Sequence, residues 1–165
     1  MARTLHIVGM ALAMLSGCFL PPSLSVDTQD AQTDSPPEIL AISLMGQPVA
    51  ENSTIDFTQN EASVMTATLI DTDLADTLYV DVFVNYQENP NPARVTCIAG
   101  PGASSQRTAS CNMMPLCQHN DVGQIEDMTV VVFDREPLQA GTPPYQGTNG
   151  GLSTQWFFRL ECLAP

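Results

Sequence analysis

The chain has 165 residues, of which 44% are hydrophobic, enough for one folded domain and too few for two comfortable ones. Eighteen acidic residues stand against five basic ones, all of them Arg (3, 94, 107, 135 and 159), for a formal net charge of −13. So acidic a surface repels phosphate backbones and anionic headgroups, which excludes nucleic acid as a partner and suits solubility outside the cell.

The N-terminus is read first. Met1 to His6 carries one firm positive charge, Arg3, and Ile7 to Leu15 is an uncharged apolar run. Nine residues are too short to cross the ~30 Å bilayer core as a helix, which takes about 20. Leu15-Ser16-Gly17-Cys18 follows at once and resembles the lipobox of bacterial lipoproteins: Leu, two small residues, then the cysteine that receives the lipid. The chemistry requires this pattern, because a thiol is the nucleophile for the lipid donor and small residues fit the peptidase pocket before the cut. The resemblance implies a signal peptide over 1–17, acylation of Cys18, and membrane attachment through that lipid. Phe19 after the cysteine, in place of Asp, implies the outer membrane by the same resemblance, with the domain on its periplasmic or cell-surface face.

Residues 18–37 then form an expected acidic, Pro-rich tether, with prolines at 21, 22, 36 and 37, acids at 27, 30 and 34, and no apolar periodicity. The folded domain is expected over 38–165. Short strands are predicted at 38–44, closed by a turn over Gly46-Gln-Pro48, and at 54–58 and 63–70, where Met65, Ala67 and Leu69 alternate with Thr66 and Thr68. In 78–86, Leu78, Val80, Val82, Val84 and Tyr86 face one way, while Asp81 and Asn85 face the other, toward solvent. Strands at 93–98 and 107–112 are read as a hairpin across Ala99-Gly-Pro-Gly-Ala-Ser104. A buried strand is expected at 127–133 and a last one at 154–162, with Trp156, Phe158, Leu160 and Cys162 on the core face. No segment has a helical period. Seven to eight short strands with Pro, Gly and Asn turns indicate an all-β sandwich.

Across residues 36–162 the chain resembles immunoglobulin-like and cadherin-like bacterial surface modules. The residues that carry the likeness are Pro36-Pro37-Glu-Ile, the turn Asp71-Thr-Asp73-Leu-Ala-Asp76 before LYVDVFVNY, and VVVFD with Asp134-Arg135-Glu136 before a long loop. It implies an immunoglobulin-like β-sandwich used for adhesion, spacing or binding of a protein or glycan, and no cofactor.

With Cys18 acylated, Cys97, Cys111, Cys117 and Cys162 remain, an even set that reads as two disulfides in an exported chain. Cys97 and Cys111 each lie seven residues from position 104, so the hairpin would set them opposite one another. That leaves Cys117 for Cys162, with Cys97–Cys117 as the competing pairing.

Chemistry is thinly represented. Cys117, His119 and Asp121 would make a nucleophilic group only if the thiol were free, and no Gly-x-Ser-x-Gly signature is present. Gly100-Pro-Gly102 and Gly150-Gly151 lack the helix and Lys of a phosphate loop. The long segment 143–151, with Tyr145, is read as a surface connection. Asp71, Asp73 and Asp76 form a candidate calcium turn, but supply only part of the about six to eight oxygens that ion needs. Asx turns in the connection, with the charges in water, are the preferred account. The expected function is therefore non-catalytic, with a carboxylate-using surface hydrolase and a calcium-dependent adhesion module as alternatives.

Overall fold

A computed structural model describes residues 35–86, 92–138 and 150–165. The expected signal peptide, Cys18 and the expected tether up to residue 34 lie outside the described residues, as do positions 143–149 of the segment read as a surface connection.

The described residues are all-β, as their alternation predicts. Nine strands run in order: β1 (Glu38–Leu44), β2 (Gln47–Val49), β3 (Thr54–Thr58), β4 (Val64–Ile70), β5 (Leu78–Val84), β6 (Val95–Ala99), β7 (Gln106–Asn112), β8 (Ile125–Phe133) and β9 (Ser153–Leu163). The only helical element among the described residues is one 3-10 turn, His119–Asp121. The strands form two layers, a four-stranded sheet ordered β2-β1-β4-β7 and a five-stranded sheet ordered β3-β9-β8-β5-β6. Chain-adjacent strands repeatedly change layer, the Greek-key connectivity of immunoglobulin-like sandwiches, and β3 runs parallel to β9 at the far edge.

Residues 47–49 correct the sequence reading. They are a strand and not part of a turn, because Met45 (φ 50) and Gly46 (φ 78) complete a two-residue hairpin loop by themselves. Pro48 is tolerated there because β2 is an edge strand, where its missing N–H interrupts no ladder.

The core lies between the layers and comes from one face of each strand. Met65, Ala67 and Leu69 of β4 meet Val80 and Val82 of β5, Val130 and Val132 of β8, and Phe158 and Leu160 of β9, all at most 2% exposed. Each large aliphatic side chain so enclosed contributes about 1.5–3 kcal/mol of burial. Trp156 lies on the core face as expected but is only half-buried, packed against the core and Phe158 with ring centroids 6.4 Å apart.

The expected hairpin of 93–98 with 107–112 is not formed. β6 pairs with β5 and β7 pairs with β4, so the connection between them crosses from one sheet to the other. The cysteines are nevertheless joined as the spacing predicted, Cys97 to Cys111 and Cys117 to Cys162. Positions equidistant from a chain reversal come opposite one another whether the arms share a ladder or face each other across a sandwich. Cys97 and Cys111 therefore tie the two edge strands β6 and β7, with Cα atoms 5.1 Å apart where facing sheets ordinarily stand about 10 Å apart. The second bridge ties the segment after β7 to β9. By loop length alone the two contribute ~3 and ~4 kcal/mol.

Candidate functional site

The acidic turn Asp71–Asp76 lies between β4 and β5, and the cation it meets is part of the chain. Alternation along β7 puts Arg107, Ala109 and Cys111 on the core face, so Arg107 enters from the end of the sandwich and is only 7% exposed. Its Nη2 donates to Asp71 Oδ2 at 2.7 Å and to the Asp73 carbonyl at 3.1 Å, and its Nη1 donates to the Asp76 carbonyl. Asp71 Oδ1 accepts from the Asp73 amide, and Asp73 Oδ1 from the Ala75 amide, both at 3.0 Å. These are two Asx turns closed by a guanidinium. Asp71 is buried, which departs from the expectation that the turn's charges stand in water. Its oxygens are directed at Arg107 and the Asp73 amide, and the three aspartates do not converge as ligands. Among the described residues no group of three or more His, Cys, Asp or Glu does so.

The group Cys117, His119 and Asp121 is not a nucleophilic site. Cys117 is bridged, His119 is exposed at the start of the 3-10 turn, and Asp121 is turned to Arg94. Arg94 Nη1 and Nη2 donate to the Asp121 carboxylate, Arg94 Nη1 also donates to the Leu116 carbonyl at 2.8 Å, and the Gln118 amide donates to Asp121 at 2.7 Å. Arg94 and Arg107 thus serve as structural clamps. Sequence reading missed both; the available signal was a cation set in line with Ala109 and Cys111 in a chain with only five arginines.

The outer face of the five-stranded sheet carries the remaining candidates. Phe157, Thr129 and Phe83 stand in one row of the ladder, and Arg159, Asp127 and Asn85 stand beside it. Tyr86 packs on Phe83 with ring centroids 4.4 Å apart. A cleft of about 420 Å³ opens there, lined by Asn85, Tyr86, Asp127, Thr129 and Phe157 among others, a volume within the usual range for ligand sites. Asn85 (φ 55) sits at its head: its Nδ2 donates to Glu126 and its Oδ1 accepts from the Asp127 amide. Asp127 itself accepts from Arg159 at 2.6 Å. The cleft combines one exposed aromatic ring, Phe157, with carboxylates that already have partners.

Further along the same face is a second apolar cluster of Phe83, Val131 and Phe133, with Tyr79, Tyr86 and Ala93 packed against it. Asp81 stands among them. It keeps the side predicted for it, but at 1% exposed it is not in solvent. Burial pushes its carboxyl above the ordinary 3.8, offset in part by the Thr96 side chain directly across the ladder. Neither carboxyl oxygen is within hydrogen-bonding geometry of a partner.

No protein-family model and no curated protein matches the chain.

Proposed function

We propose that this is a lipid-anchored envelope protein, held at the outer membrane by acylated Cys18, that presents a non-catalytic immunoglobulin-like sandwich for a structural or binding role. The observation that carries this reading is the combination of two disulfides with the export pattern ahead of them. Bridges of this kind persist in oxidising compartments, and LSGC after an apolar run is the means of arriving in one. The cleft between Tyr86 and Phe157 supplies a contact surface for a protein or glycan. Binding is favoured over hydrolysis because Asp127 is paired with Arg159 and Glu126 accepts from Asn85, which leaves neither carboxylate unengaged for proton transfer.

The anchor is tested by growing cells with radioactive palmitate. Label should appear in the wild-type chain and vanish in Cys18→Ser, which should also accumulate as uncut precursor. Equal labelling of both would overturn the anchored reading.

A further inference from the structure

A buried carboxyl without a hydrogen-bond partner is expensive in its charged form and much less so when protonated. Asp81 comes close to this case: neither oxygen has a partner in hydrogen-bonding geometry, the Thr96 side chain is the one polar neighbour that favours its charged form, and its surroundings along β5 and β8 are apolar. Tyr79 and Phe83 stand on either side of it along β5, and Val131 of β8 stands across the ladder. Thr96 of β6 is opposite on the other side and is itself exposed. Among the described residues, the charged and titratable side chains on this face of the sheet are Tyr79, Tyr86, Arg94, Asp127, Arg159, Glu161 and, at the far edge, Asp56. Arg94 is held by Asp121, and Arg159 is held by Asp127. Arg135, which follows β8, is also engaged, and Asp81 has no partner among these groups. No cation therefore meets the carboxylate, in contrast to Asp71 ten residues earlier.

We propose that the outer face of the five-stranded sheet is a proton-keyed surface: with Asp81 as the neutral acid the cluster of Phe83, Val131 and Phe133 stays closed, and ionisation of Asp81 loosens it and exposes those side chains.

The sign follows from linkage. The folded-state carboxyl binds its proton more tightly than the unfolded one, so this group imposes no penalty below the ordinary aspartate range. Stability is then lost as pH rises from that range through the raised folded value, and levels off above it. The net charge of the whole chain also changes with pH, so the informative quantity is the difference between wild type and Asp81→Asn. An uncharged amide of similar size has no carboxylate to desolvate.

The experiment follows the full chain, wild type and Asp81→Asn, from about pH 4 to about pH 8 by thermal melting and by fluorescence of an apolar dye. The variant should melt with the wild type at the acid end and several degrees above it at the neutral end. Dye fluorescence should rise several-fold with pH in the wild type and stay flat in the variant. Carbon NMR of the Asp81 carboxyl in the wild type is the second measurement, and it decides the matter if the variant does not fold. Titration above the ordinary aspartate range supports the proposal. Titration at the ordinary value, or parallel melting and dye curves in the two chains, would overturn it.

Discussion

Asp71 and Asp81 are ten residues apart, both nearly inaccessible, and they solve the same physical problem in opposite ways. Asp71 follows a core strand and meets a guanidinium that enters from β7, and the pair closes a turn. Asp81 sits mid-strand on the outer face, where alternation brings it hydrophobic neighbours and a single hydroxyl, so its charge is opposed. Burial alone therefore does not define the role of a carboxyl. The partner does: a fork of fixed donors makes a structural clamp, and the lack of one leaves a carboxyl whose ionisation is opposed.

The sharpest way to break this contrast is to take the guanidinium from Asp71. Arg107→Met should lower stability by about 3–5 kcal/mol, since it strands a buried charge and frees the turn carbonyls of residues 73 and 76. Urea unfolding measures this. A loss under about 1 kcal/mol would mean that the clamp does not hold the turn.

A milder contrast is offered by the Arg159–Asp127 pair, whose side chains are 55% and 65% exposed. Arg159→Ala should cost only about 0.2–1 kcal/mol, and less in high salt, by the same measurement. If it cost as much as Arg107→Met, burial would not be what separates the two pairs.

The smallest effect is expected from calcium. Asp71 already accepts from Arg107, and Asp73 from the Ala75 amide, so millimolar calcium should shift the melting temperature by less than about a degree. A calorimetric titration with one micromolar site, lost in Asp73→Ala, would show the turn to be a cation site after all.

Much of this was written locally in the sequence. Alternation over 63–70 and 78–86 marked two strands and named their core residues as far as Val84, because a pleated chain turns successive side chains to opposite faces whatever its neighbours are, whereas Tyr86, beyond the strand's end, packs on Phe83 of the other face. The spacing of Cys97 and Cys111 about position 104 indicated their pairing, because any reversal brings equidistant positions together. LSGC, with the apolar run before it, carries the whole of the anchoring proposal.

Only the tertiary structure decided which strands are neighbours. β6 and β7 lie in different sheets, so the bridge between them pins two layers and does not close a hairpin. The same holds for the two aspartates. Asp71 finds Arg107 across 36 positions of sequence, and Asp81 is hidden by Val131, fifty positions on, and by the cluster around it. A period of two tells which face a side chain takes. What stands over that face is set by contacts between segments far apart in the chain, and that decides whether a carboxyl becomes part of a clamp or one whose ionisation is opposed.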